Sequence, residues 1–190
     1  MKRVIFPAAF AALLTSLPAA AEPETFTVDP NHTFPFYEIG HFGNSFQRGR
    51  FDKTSGKIVL DTAAKSGSID IEVDATSVDS GVPKLDTHLK SEDFFNVAQF
   101  PRIAFKSTRL EFDGDAVKSA AGELTIRGVT QPATLAVNFF HCGIHPMLKK
   151  KVCGADITTT VKRSTFGLKY GLGVLADDVL LRINVEAMKD

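Results

Sequence analysis

Hydrophobic and polar residues alternate with a period of two along most of the chain. The segment SGSIDIEVDATSV (66–78) sets Ile69, Ile71 and Val73 against Asp70, Glu72 and Asp74, the pattern of a strand with one buried face. Together with SGKIVLDTA (55–63) it predicts a hairpin about Lys65-Ser66-Gly67. Similar segments follow at 102–112, 121–129, 133–142, 153–163 and 177–187, separated by Asp113-Gly114-Asp115, by Gly128 to Pro132 and by a loop that two cysteines bracket. These separators carry turn chemistry. Near the start, Val28 and then Pro35, Tyr37, Ile39 and His41 on alternate positions predict an opening strand pair joined at Asp29-Pro30-Asn31. Long amphipathic helices are nearly absent. The predicted fold class is therefore all-β: about eight antiparallel strands, closed into a barrel or folded as a sandwich.

Residues 82–97 break the pattern and predict a short helical excursion. Pro83 suits a first helical turn, and Leu85 and Leu89 lie four apart on one face with Asp86, His88 and Lys90 on the others. Ser91 is placed to cap a second turn that holds Glu92 and Asp93, with Phe94 and Phe95 behind it. Pro101 ends the excursion by forcing Phe100 extended. Asp86, His88 and Glu92 are the residue types of acid–base catalysis, yet Asp86 and His88 are two apart and point in opposite directions on a helix. They read as helix-stabilising groups, with no catalytic residue assigned.

The chain opens with Lys2 and Arg3, an apolar run from Val4 to Leu17, and Ala19-Ala20-Ala21. That order predicts a signal peptide over residues 1–21 and an exported, periplasmic or secreted, protein. Residues 22–190 then form one domain. Loss of Lys2 and Arg3 from a chain with 22 Lys plus Arg and 22 Asp plus Glu leaves a slightly acidic product. Such a surface excludes a basic field for nucleic acid, and Lys149-Lys150-Lys151 reads as a solvated hairpin tip. Cys142 and Cys153, an even pair in the exported part, predict a disulfide stapling a long hairpin. The rival reading is a metal or redox site built from His141, Cys142, His145, Met147 and Cys153; it requires that disulfide to be absent.

Phenylalanine is abundant: the chain has 16, of which only Phe6 and Phe10 fall in the predicted leader, beside no Trp and two Tyr. Phe34, Phe36, Phe42, Phe46 and Phe51 crowd into one short stretch. Such rings either fill a small barrel or line a ligand cavity in a wider one, and composition leaves both open. Gly171-Leu172-Gly173 lacks the third glycine and the strand-to-helix setting of a dinucleotide loop, and no G-x-S-x-G elbow is present.

Four ordered blocks carry a resemblance. FTVDPNHTFPFYEIGHFGNSFQRGRFDKTSGKI, SVDSGVPKLDTHLKSEDFFNVAQFPRIAFKST, GELTIRGVTQPATL, and VKRSTFGL followed by DDVLLRINVEA resemble the successive signatures of the YceI-like family of exported polyisoprenoid-binding proteins. The family's first-strand signature falls on Asp29, His32 and His41, its helix-and-loop signature on Asp86, His88, Leu89, Phe94 and Phe95, and its late turn on Arg163, Ser164, Phe166 and Gly167. Pro35 departs from the aliphatic or aromatic residues usual at its position. The resemblance implies a lipocalin-like, extended antiparallel barrel that carries or stores an isoprenoid lipid, such as a quinone tail or polyprenyl compound, with no enzyme activity and no further cofactor. It also implies homodimers and transient membrane contact. On that fold the strand alternation assigns Tyr37, Ile39, Phe42, Phe46, Phe94, Phe95, Phe105, Ile126, Phe139, Phe166 and Leu168 to the cavity wall, with His41, Arg163 and Ser164 as polar head-group contacts or internal anchors.

Overall fold

A computed structural model describes residues 22–190, so the predicted signal segment lies outside the described residues. The alternating segments form β1 (Glu24–Val28), β2 (Phe34–His41), β3 (Ser45–Phe51), β4 (Thr54–Asp61), β5 (Ser66–Asp74), β6 (Val78–Asp79), β7 (Arg102–Asp113), β8 (Ala116–Ile126), β9 (Val129–Ile144), β10 (Lys151–Lys162) and β11 (Leu175–Lys189), with one helix, α1 (Pro83–Lys90), after β6. Every pairing is antiparallel, and β1 meets both β4 and β11, which closes the sheet.

The eleven strands reduce to eight staves, because the first three staves are each broken once. β1 and β2 lie end to end along β11, which pairs with β1 through Ala187–Lys189 and with β2 through Leu175–Asn184. β3 and β4 continue one another across Asp52 and Lys53, as do β5 and β6 across a single turn of 3-10 helix at Ala75–Ser77. The expected opening hairpin at Asp29-Pro30-Asn31 is therefore corrected to a break within one stave. Local side chains explain it: Asp29 accepts from the Asn31 N–H and pairs with His32 Nδ1 at 2.7 Å, turning the chain on itself. Thr33 restores the ladder by donating its hydroxyl to the Glu186 carbonyl and accepting from the Glu186 N–H. The third stave breaks where Asp74 accepts from the Thr76 N–H and caps the 3-10 turn. Pro35 is tolerated because the ladder to β3 ends at the Phe36–Arg50 pair, so no partner there requires its missing N–H.

β3, which the alternation does not predict, is paired with β2 through a tight turn in which Phe42 (φ 53°) and Gly43 (φ 70°) both take left-handed backbone. The Asn44 N–H closes it onto the His41 carbonyl. α1 begins at Pro83 as expected and ends at Ser91, whose hydroxyl and N–H both return to the His88 carbonyl. The expected second helical turn is instead a chain of tight turns, in which the Phe95 and Val97 N–H groups bond the Leu89 and Lys90 carbonyls. Asp86 accepts from the Ser80 N–H and hydroxyl, tying down the approach to α1.

One end of the barrel is packed solid. Phe26, Ala120 and Ala187 are each 1% exposed and sit among Leu60, Leu110 and Val117. The other end is covered by α1, the turns after it and the loop between β10 and β11.

Candidate functional site

Between that solid floor and the covered end lies an apolar cavity of about 570 Å³, within the range of small-molecule sites. Its wall is made of inward-facing positions on nearly every stave, including Ile58 and Leu60 of β4, Ile69, Ile71 and Val73 of β5, and Leu181, Ile183 and Val185 of β11. Several of these, Ile69, Ile71, Ile157 and Leu181 among them, are only half-buried although they point inward. They face empty space, so the barrel is hollow rather than filled. Glycines make room for the large side chains: a Cβ on Gly122 would collide with the Phe105 ring, and one on Gly49 with the Tyr37 hydroxyl.

Three wall residues are exposed, Phe42 (54%), Tyr170 (48%) and Gln47, and they mark the mouth. The cover beside it is aromatic. His88 meets Phe94 at 5.0 Å and Tyr170 at 4.9 Å, both edge-on, and Phe94 meets Tyr170 at 5.3 Å. These three rings join α1, the turns after it and the loop before β11. Arg127 ties the same parts together by donating Nη1 to the carbonyls of Phe94 and Gly167. Leu172 and Val174 extend the exposed apolar rim from Tyr170, and the Phe42 N–H bonds the Val174 carbonyl.

Of the residues the alternation assigned to the wall, Tyr37, Ile39, Phe42, Phe94, Phe95, Phe105, Ile126, Phe166 and Leu168 line this cavity. Phe46 and Phe139 do not; they point outward, 58% and 57% exposed. Phe139 is displaced by a bulge: Asp156 pairs with Phe139 but Ile157 pairs with Val137, leaving Asn138 as an extra residue. Beyond it the inward parity shifts, so Leu135, Val137 and then Phe140 face the cavity. Phe46 pairs with Gly40, which puts it on the opposite face from Ile39 and Gln47.

The polar candidates divide. His41 lines the mouth beside Phe42, their rings 4.2 Å apart. Arg163 also borders the cavity at 5% exposure, but its guanidinium is spent on the loop before β11: Nε donates to the Ala176 carbonyl, Nη1 to those of Leu168 and Tyr170, and Nη2 to that of Leu175. Burial lowers its pKa. Ser164 is outside the wall; its N–H and hydroxyl both donate to Asp177, and those bonds hold the Asp177 carboxyl below its ordinary range. Both residues anchor the loop. Tyr37 is half-buried, and the desolvation of its phenol pushes its pKa up to about 12, helped by the Asp86 and Asp79 carboxylates.

The rival metal set does not assemble. Cys142 and Cys153 are directly paired across β9 and β10 and form a disulfide, so neither offers a thiolate. His145 Nδ1 accepts from the N–H groups of Met147 and Leu148. The acids near α1 are likewise occupied structurally, Asp86 by Ser80 and Asp93 by His88 Nε2 at 2.9 Å.

A family model described as the YceI-like domain matches residues 26–187. A protein of Escherichia coli O157:H7, Protein YceI, is 31% identical over 192 residues, covering 100% of this chain and 99% of its own length. A solved YCEI protein of Campylobacter jejuni is 26% identical, with a TM-score of 0.65 over 80% of this chain and 90% of that one. A polyisoprenoid binding domain from Saccharophagus degradans, implicated in plant cell wall breakdown, shares the fold at a TM-score of 0.61 and 16% identity, over 87% of this chain and 98% of that domain.

Proposed function

We propose, from the premise that this chain belongs to the YceI-like domain family, that it is an exported binding protein that carries or stores an isoprenoid lipid in its barrel. The observation that carries the reading is the hollow itself: a closed, apolar cavity of about 570 Å³ with a solid floor and an aromatic mouth at Phe42 and Tyr170. The likeness to a polyisoprenoid binding domain supports it. Of the ionisable side chains in the wall, His88 and Arg163 are engaged in holding the covering loops.

Energetics define what such a protein must do. Burying an eight-unit prenyl tail of about forty carbons from water is worth roughly 30 kcal/mol gross at ~0.8 kcal/mol per carbon, which exceeds the practical ceiling of roughly 20 kcal/mol for non-covalent binding. Ordering of the tail offsets much of that sum. A lipid drawn from a membrane is already out of water, so the net hydrophobic gain on transfer is close to zero. Selection then falls to cavity shape and to polar contacts. Passage through water is avoided if the mouth meets the membrane, a role suited to the exposed Phe42, Tyr170, Leu172 and Val174.

Organic extraction of freshly purified protein followed by mass spectrometry is expected to release a prenyl lipid. Its reproducible absence, together with failure to take up added ubiquinone, overturns the reading.

A further inference from the structure

The β9–β10 hairpin runs past the solid floor of the barrel. Its last strand pair is Ile144 with Lys151, and Lys151 Nζ donates to Glu24 of β1, two residues before Phe26 in the floor. The tip between them, His145 to Lys150, has no strand beside it: β9 leaves β8 after Ala136, and β10 meets β11 only from Val152 onwards. Three large apolar side chains stand out there. Ile144, Met147 and Leu148 are 66%, 81% and 53% exposed, and Met147 is the most exposed large hydrophobic residue among those described.

The tip satisfies its own backbone donors. The His145 N–H bonds the Lys150 carbonyl at 2.8 Å, and the Lys149 N–H returns to the His145 carbonyl at 2.9 Å. His145 Nδ1 accepts from the N–H groups of Met147 and Leu148, and Pro146 has no N–H to satisfy. From His145 to Lys149, no backbone N–H depends on water. A loop that stays in water gains little from this. One that enters a bilayer interface requires it, because a polar group left unbonded in an apolar medium is costly.

Charge points to the same medium. Residues 144–151 contain no acid, and the acids behind the tip are already matched, Glu24 by Lys151 and Lys189, and Asp190 by Lys57. Lys149 and Lys150 are exposed and pair with no acid among the described residues. The tip is therefore locally cationic. We propose that it is a contact site for an anionic lipid surface, with Ile144, Met147 and Leu148 entering the interface and Lys149 and Lys150 at the level of the head groups. Lysine stems lie along apolar surface while their ammonium groups reach outward, which suits this adjacency. The site goes beyond the lipid-binding reading and does not depend on what the cavity holds. The mouth at Phe42 and Tyr170 is at the opposite end of the barrel, so contact through the tip turns the mouth away from that surface.

Met147→Trp supplies a reporter at the tip, because the chain has no Trp. The purified variant is mixed with vesicles of phosphatidylcholine alone or with about one third phosphatidylglycerol. On the anionic vesicles the indole emission is expected to shift to the blue and to be quenched by lipids brominated in their acyl chains. On the neutral vesicles it is expected to stay as in water. Relative to wild type, affinity for anionic vesicles in sedimentation at low salt should fall about fivefold for each of Lys149→Gln and Lys150→Gln, and at least about tenfold for Met147→Ser combined with Leu148→Ser. These positions lie outside the cavity wall, so organic extraction should recover the same lipid from each variant as from wild type. An indole that stays in water on anionic vesicles overturns the proposal, even where the protein sediments with them through its mouth. Equal insertion into neutral vesicles overturns it, as does a blue shift without vesicles that grows with protein concentration, which marks a second copy as the occupant. Insertion by a wild type that yields no prenyl lipid and takes up none ends the lipid-binding reading and leaves the tip site standing.

Discussion

Replacing Ile157 by Phe decides whether the barrel interior is empty in solution. Ile157 lies on β10 opposite Ile183 of β11 and Val137 of β9, all three in the cavity wall. It is half-buried because one side of it faces the void. The substitution adds three carbons. If they extend into empty space, burying them at ~0.8 kcal/mol each yields up to about 2 kcal/mol of added stability in the delipidated protein. If the interior were packed instead, the same ring would force its neighbours off their rotamers and cost roughly 1–3 kcal/mol. The sign of the change is therefore diagnostic. Denaturant unfolding of delipidated wild type and variant measures it, and for a domain of this size the gain corresponds to a rise in melting temperature of roughly 4–8 °C. The filled cavity should also exclude lipid, so the variant is expected to purify with at least tenfold less extractable lipid. A variant that is destabilised and still retains its lipid would falsify the hollow-barrel argument.

Three further outcomes follow from the same geometry. Substituting Ala for both Cys142 and Cys153, which close a loop of separation 11, should lower stability by about 3 kcal/mol on the chain-entropy estimate, and a reductant should reproduce most of that loss in wild type under denaturant titration. Phe94→Ala removes a ring that is 8% exposed and joins α1 to the loop before β11; a loss of roughly 3–5 kcal/mol and faster lipid escape are expected in equilibrium unfolding and off-rate measurements, and an unchanged off-rate would remove the cover from the binding account. Asp177 has its pKa held below the ordinary 3.8 by the Ser164 N–H and hydroxyl, so its contribution is fully present above pH ~4 and is lost as pH falls through the depressed folded value. Acid titration should show Asp177→Asn to be less stable near neutrality and less sensitive to pH below that point.

The cavity wall was partly legible before the fold was known. Period-two alternation places Tyr37 and Ile39 on one face and the helical spacing of Leu85 and Leu89 brings both into the cavity wall, because each rule operates within one element. Phe139 shows where such rules stop. Its inward assignment depends on unbroken alternation along β9, and the bulge at Asn138 appears only when β9 is paired against β10. Arg163 and Ser164 show a different limit. Their residue types suit a head-group site, but the carbonyls of Leu168, Tyr170 and Ala176 and the carboxylate of Asp177 reach them first.

The amino-acid sequence alone determined that this is an antiparallel all-β protein with one short helical interruption near Pro83, that a disulfide would join Cys142 to Cys153, and which ordered blocks place it in its family. These follow from local periodicity, turn chemistry and cysteine arithmetic, which act over a few residues. Tertiary structure decided that Asp29–Thr33 is a break in one stave rather than a hairpin, that Phe46 and Phe139 face outward while Phe140 faces in, and that the interior is hollow with the Thr54 hydroxyl unpaired beside it. Each of these is set by pairing register and closure between strands far apart in the chain, where a single inserted residue reverses every face beyond it.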